Sequence, residues 1–267
     1  MAKRMTPDDP KPADADPEQK DPLFVTALAR GLSILLLCGE SPSALTVSQI
    51  AKASGLPQPT VWRLVHTMIT LGFLERTDED RIRPALAALR LGHAAIARRP
   101  LAELAKPGMD ALARRYPGAV SLGVRQELEM VYIHRVEGGE VIFSNLRTGS
   151  HVSLLASAMG WGLLAGSPEK ERAALLRTAK QRMPGEYERV RKPLAAALEG
   201  FGAKGWILNK GVLHPEINAI AIPVMGPGGS PVASMSFGGS RARFSAQLLE
   251  REIGPQLRAL ARSLSIS

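Results

Sequence analysis

Apolar residues recur at helical spacing from Thr26 to Cys38, where Leu28, Leu32, Leu35 and Leu36 form one stripe and Ile34 and Leu37 widen it. Gly39-Glu40-Ser41-Pro42 stops that helix. Thr46 and Gln49 then form a capping box, opening a short helix to about Ser54 with Val47, Ile50 and Ala51 inward. Gly55 ends it in the left-handed conformation that glycine adopts cheaply. Pro57-Gln58-Pro59-Thr60 opens a third helix, whose expected inner stripe is Val61, Leu64, Val65, Met68 and Leu71. Its outer face carries Gln58, Pro59, Thr60, Trp62, Arg63 and His66. After Gly72, Phe73–Arg76 and Arg81–Arg83 read as two strands joined by the polar tip Thr77-Asp78-Glu79-Asp80.

The pattern then changes. Residues 85–99, rich in Ala and Leu, continue as a linking helix, and 109–115 are helical. Residues 119–125 and 129–137 alternate as strands do, and Val141–Arg147 is a third strand. A small-residue helix follows at Ala156-Ser157-Ala158-Met159-Gly160, then amphipathic helices near 168–180 and 186–203. Strands are expected at 205–208, 218–224 and 232–237, and Ser245 caps a last helix to about Leu264. The organisation is a proline-rich disordered arm (1–21), a winged helix-turn-helix (22–84), a linker helix (85–107) and an α+β sensor-like domain (108–267).

Composition sharpens this little. The chain has 267 residues and a net charge of +9. The excess lies mostly beyond the helical reader: residues 1–20 carry −1, residues 21–107 carry +3 and residues 108–267 carry +7. Bulk charge therefore supports nucleic-acid binding only weakly, and the motif must carry it. The single cysteine, Cys38, cannot form an intrachain disulfide, which fits a cytoplasmic protein. No apolar run is long enough for a signal core or a membrane span, so no membrane partner is expected.

The third helix has the chemistry of a groove reader. A major groove admits one α-helix, held by an apolar inner stripe and offering short polar groups and cations outward. Gln58 pairs well with adenine and Arg63 with guanine, while Thr60 suits a phosphate at the helix N-terminus. Arg81 and Arg83 on the wing are placed for neighbouring phosphates, and Thr46 and Pro59 belong to the same DNA-facing set. Trp62 has two open roles, packing on a deoxyribose or capping the core against the wing or linker, with packing against the protein slightly favoured. His66 is open between phosphate contact and inert surface. A single reader touches few base pairs, so a homodimer or a dimer of dimers on double-stranded operator DNA is expected, with the linker helix as the dimer element.

Ala27-Leu28-Ala29-Arg30-Gly31-Leu32, Leu45-Thr46-Val47-Ser48-Gln49-Ile50-Ala51, Gly55 to Leu64 and Leu71-Gly72-Phe73-Leu74-Glu75 together resemble the IclR family of bacterial transcription regulators. The departures are Gln58-Pro59 and Trp62, which bear on operator sequence rather than on DNA binding. The resemblance continues through Gly149-Ser150, Gly205-Trp206, Ala221–Val224 and Ser234–Ser236. It implies a GAF-like effector-binding domain with a central antiparallel sheet flanked by helices, taking small carboxylates or aromatic acids. It places the effector pocket on Ala158, Met159, Asn209, Ile217, Ala219, Ser234 and Ser236. Ser234 and Ser236, two apart on a strand, share a face and can orient a carboxylate. Met159, larger than the family's usual residue, should narrow the pocket and meet an apolar or aromatic part of the effector.

Catalysis is the competing class. The chain has no Walker loop, G-x-S-x-G elbow, H-E-x-x-H helix or paired C-x-x-C motif, and its five histidines lack metal-ligand spacing. His151 and Ser153 read as loop residues rather than as a nucleophile and base. The expectation is a regulator, not an enzyme, without metal or other cofactor. The alternative is a DNA-binding protein whose C-terminal domain only oligomerises.

Overall fold

The structure is a computed structural model that describes residues 22–97, 100–139 and 146–265. The arm expected over 1–21, the end of the linker helix at 98–99 and most of the strand expected over Val141–Arg147 lie outside the described residues. The chain divides between Leu91 and Gly92 into two compact units.

The first unit packs α1 (Thr26–Glu40), α2 (Val47–Ser54) and α3 (Gln58–Thr70) on a hairpin of β1 (Leu74–Arg76) and β2 (Ile82–Pro84). Ile34, Cys38, Ile50, Val61, Val65, Met68, Leu74 and Ile82 form its core. Leu45 pairs with Ile82 through reciprocal backbone hydrogen bonds of 2.9 and 2.7 Å, adding a third edge to the wing. Thr46 and Gln49 close a capping box, and Gly55 caps α2 at φ 68°. Burial pushes the Cys38 thiol up to about 11, so it stays protonated at neutral pH.

Two expectations about inward faces are corrected. Ile34 and Cys38 are the buried residues of α1, whereas Leu28, Leu32 and Leu36 are 61%, 50% and 65% exposed. The segment is apolar nearly all round, so periodicity alone does not choose its face. Gly31, with no side chain, faces Leu64 and sets which side approaches α3. Leu71 is the exposed C-cap of α3 rather than a member of its stripe.

α4 (Ala87–Ala97) spans the division between the units. α5 (Pro100–Arg115) is a single helix, longer than the 109–115 stretch, and it buries Ala102, Ala105 and Met109 in the second unit's core. The second half of the expected linker is therefore a core element.

The second unit is built on one antiparallel sheet of six strands. These are β3 (Ala119–Gln126), β4 (Glu129–Glu137), β5 (His151–Ser153), β6 (Ile207–Lys210), β7 (Ile217–Met225) and β8 (Pro231–Ser240), in the order β5-β4-β3-β8-β7-β6. β5 was not anticipated. Gly205 is the left-handed cap of the preceding helix, so β6 begins two residues later than its alternation suggested. One face carries Val120, Leu122, Met235 and Phe237 against α5 and the C-terminal helix. The other face is covered by α6 (Ala158–Gly166), with α7 (Glu169–Arg182) and α8 (Pro184–Lys204) outside it. The last helix is not continuous. It opens at α9 (Ala246–Leu248), capped by Ser245, widens into a π-helical turn over Leu249–Ile253 and resumes as α10 (Gly254–Leu264). Pro255 has no N–H to donate back into the preceding turn, which accounts for the local change of register.

α6 lies close on the sheet because glycines line its underside. A Cβ at Gly162 would sit 2.5 Å from Ser234 Oγ and 3.1 Å from Ala221 Cβ. Gly162→Ala should therefore lower unfolding free energy by about 1–3 kcal/mol through overpacking. Urea denaturation would show a lower midpoint at unchanged slope.

Candidate DNA-reading helix and effector cleft

The outer side of α3 is bare. Gln58, Pro59, Trp62, Arg63, His66 and Thr67 are exposed, whereas Val61, Val65 and Met68 are buried beneath them. Thr60 is half-buried, and Thr67 Oγ1 donates to the Arg63 carbonyl at 2.9 Å. Trp62, 43% exposed, lies beside His66 and under the Arg76 guanidinium, 4.8 Å from its ring centroid. The tryptophan thus packs on the wing, a cation–π contact worth about 0.5–1 kcal/mol at an exposed site.

The wing's cations are compensated. Arg76 pairs with Asp80 at 2.7 Å, Arg81 with Glu79 at 3.3 Å and Arg83 with Glu75 at 2.6 Å. Arg81 also donates to the Ala44 carbonyl. Exposed pairs of this kind are worth about 0–1 kcal/mol, so a phosphate can replace them, but the wing presents little net charge. Among the described residues Arg63 has no ion pair, which leaves it the uncompensated cation of the reading face. Thr46, placed in the DNA-facing set, spends its hydroxyl on the Gln49 N–H at 3.2 Å.

In the second unit a cleft opens between the sheet and the start of α6, lined by apolar side chains with a few polar groups among them, as small-molecule sites are. Sheet register explains its floor. Arg135, Ser121 and Ser236 form one row across β4, β3 and β8, and Glu137, Ala119, Gly238 and Ala219 form the next. A bulge opposite Leu122 and Gly123 inserts Ile133. It lets Tyr132 and Arg135, an odd number of residues apart, line the same cleft. Burial raises the Tyr132 phenol above its ordinary value, with Arg135 opposing, so it stays protonated. Ser157 caps α6 by accepting from Gly160 N–H at 3.0 Å. The N–H groups of Ala158 and Met159 in that first turn have no partner within the helix and give the cleft wall a partial positive charge.

The sequence-derived pocket set divides. Ala158, Met159, Ile217, Ala219 and Ser236 line the cleft. Ser234 shares the face of Ser236 but does not line the cleft: it is buried under Gly162 and donates to the Ile222 carbonyl at 3.2 Å. Met159 separates the two, since its sulfur lies over Gly123, the register neighbour of Ser234. Asn209 is also outside. Its amide donates to the Ala156 carbonyl at 2.9 Å and accepts from Val212 N–H at 3.1 Å, fastening the turn before α6. Arg135, Glu137, Tyr132 and Ser121 were missed. The alternation of β4 puts Arg135 and Glu137 on one face, but nothing in the sequence places that face against a cleft. His151 and Ser153 pair with different carboxylates, Glu129 and Glu186.

A three-helix reader with a wing, joined to a sheet domain with a small-molecule cleft, defines a DNA-binding regulator. The family description "Bacterial transcriptional regulator IclR C-terminal" matches residues 93–266, and "IclR helix-turn-helix domain" matches residues 27–78. The chain belongs to the IclR family of transcription regulators. An IclR family transcriptional regulator from Brucella abortus is 34% identical, with a TM-score of 0.74 over 94% of this chain and 95% of its own. The Pca regulon regulatory protein of Pseudomonas putida is 29% identical, covering 91% of this chain and 84% of that protein. The HTH-type transcriptional regulator TsaQ1/TsaQ2 of Comamonas testosteroni is 26% identical, covering 90% and 87%. Family and relatives alike are regulators rather than enzymes. No described helix is long and apolar enough to cross a membrane.

Asn209→Ala should cost about 1–3 kcal/mol by stranding the buried Ala156 carbonyl and the half-buried Val212 N–H. Chemical denaturation measures that loss. A carboxylate's affinity for the folded variant should change little.

Proposed function

We propose that this protein is a cytoplasmic, dimeric operator-binding regulator whose DNA affinity is set by a carboxylic acid with an apolar body bound in the cleft. The observation that carries the DNA reading is the bare outer face of α3 with Arg63 unpaired on it. Gln58 and Arg63 supply base-edge chemistry, Thr60 and the helix N-terminus suit a phosphate, and the wing arginines add contacts once their carboxylates are exchanged.

A dimer is supported by the exposed leucines of α1, Leu28, Leu32 and Leu36, which recur every fourth residue on one side of the helix. A second copy is the occupant that a half-site reader needs. Leu86 and Leu89 are exposed as well, so α1 joins the linker helix as a candidate contact. The acid is supported by hydroxyls, a guanidinium and a helix N-terminus in a cleft otherwise walled by Met159, Leu146, Leu213 and Ile217. Met159 closes its inner end, which favours an acid with a compact apolar or aromatic portion over the smallest keto acids.

Arg63→Ala should weaken binding to an operator selected from random duplex DNA by about 1–3 kcal/mol at fixed salt. Unchanged affinity in a fluorescence-anisotropy titration removes Arg63 from the interface. Leu32→Glu should convert dimer to monomer in sedimentation analysis and weaken DNA binding with it. An unshifted dimer excludes the α1 contact. Calorimetric titration with a carboxylate panel should find tighter binding of aromatic acids than of glyoxylate or pyruvate. A cleft that binds none of them points to a C-terminal domain that only oligomerises.

A further inference from the structure

We propose that Arg135 is the counter-ion for the effector's carboxylate, and that Glu137 holds its place until the effector displaces it. This rests on the reading of the cleft as an effector site.

The Arg135 side chain is only 8% exposed. A guanidinium so placed cannot lose its charge, so it must be paired. Its partner comes from two residues along the same strand. Nε and Nη2 both donate to one oxygen, Glu137 Oε1, at 3.1 and 2.8 Å, and Nη1 donates to Ser121 Oγ at 3.0 Å. A guanidinium edge is satisfied best by two carboxylate oxygens, one for each N–H. Glu137 offers Arg135 one oxygen, because both side chains rise side by side from a single strand. A free carboxylate is under no such constraint and can supply two.

The exchange is asymmetric in solvation. The Glu137 side chain is 26% exposed and recovers water when released, whereas Arg135 has no comparable access. The surroundings suit an incoming anion. Ser121 and Ser236 stand next to Arg135 in the same row of the sheet, and the first turn of α6 forms the opposite wall. Among the described residues Arg135 and Glu137 are the charged ones lining the cleft, and their charges cancel each other before the acid enters. A neutral analogue such as a carboxamide has no charge with which to displace Glu137. The pair therefore selects acids over their amides, while the apolar walls select the body of the ligand.

The test uses the whole chain of 267 residues, with benzoate, benzamide and acetate as probes in calorimetry and thermal melting. Wild type should bind benzoate and not benzamide. Glu137→Gln removes the competing charge and should bind benzoate about tenfold more tightly, the effect of one opposing unit of pKa-scale interaction. Glu137→Ala should be stabilised by acetate over chloride at equal ionic strength, the acetate filling the vacated position. Arg135→Gln should lose benzoate binding at least about tenfold. If that variant does not fold, Arg135→Lys, which keeps the charge without the two-pronged edge, should still bind more weakly than wild type.

Benzoate affinity unchanged in the Arg135 variants, or unimproved in Glu137→Gln, overturns the proposal. So does a failure of both benzoate and acetate to bind any Glu137 variant. Operator binding measured in parallel separates the two readings. Arg135-dependent benzoate binding without effect on DNA leaves this inference standing and removes the regulatory reading. An acid that shifts DNA affinity equally in wild type and Arg135→Gln does the reverse.

Discussion

A helix can read a groove only if half its surface is anchored and the other half is left bare. α3 meets that constraint with Val61, Val65 and Met68, each buried, against Ile34 of α1, Ile50 of α2 and Leu74 and Ile82 of the wing. Each such side chain contributes about 1.5–3 kcal/mol by leaving water, which is what allows Gln58, Trp62 and Arg63 to stay exposed without loosening the helix. The caps serve the same end. Thr46 and Gln49 fix where α2 starts, and Gly55 turns the chain sharply enough for α3 to follow at once. Arg76 over Trp62 adds a surface contact between the wing and α3, and the wing's internal ion pairs leave Arg63 on α3 as the cation without an ion pair among the described residues of that face.

The second unit solves a different problem: how to keep a cavity in a packed domain. Small residues do it from below, with Ala119, Ala219 and Gly238 leaving the sheet floor low. Glycines do it from the side. Gly162 brings α6 down onto Ser234 so that the start of the helix, rather than its middle, overhangs the open space. Met159 then lies across Gly123 and sets where the cleft ends. A single β-bulge decides which polar groups face inward, since Tyr132 and Arg135 would otherwise lie on opposite sides of β4.

The elements of the reader were legible because their signals are local: a capping box, a glycine cap, a proline-started helix and a polar tip between two short strands. What was not legible depends on partners distant in sequence. α1 is apolar nearly all round, and only packing against Leu64 and the wing decides that Ile34 goes in and Leu32 stays out. Ser234 and Ser236 were rightly assigned to one face, but alternation cannot tell that α6 covers one and spares the other. Asn209 looked like a binding amide and is a backbone fastener. Arg135 is the converse case: strand alternation gives its face, and only the neighbouring strand and the cleft around it account for a guanidinium that is 8% exposed. The π-helical turn before Pro255 was hidden because an amphipathic stripe tolerates one extra residue in a turn.

The central claim is that the bare side of α3 enters a major groove, twice, once for each subunit. Methylation interference on an operator selected from random duplex DNA tests it most directly, because dimethyl sulfate marks guanine N7 in the major groove and adenine N3 in the minor groove. Interference from guanine N7 in two clusters related by a dyad, on successive or alternate turns of one helical face, is the predicted result. Interference confined to adenine N3, or none at any guanine within a protected region, would contradict it.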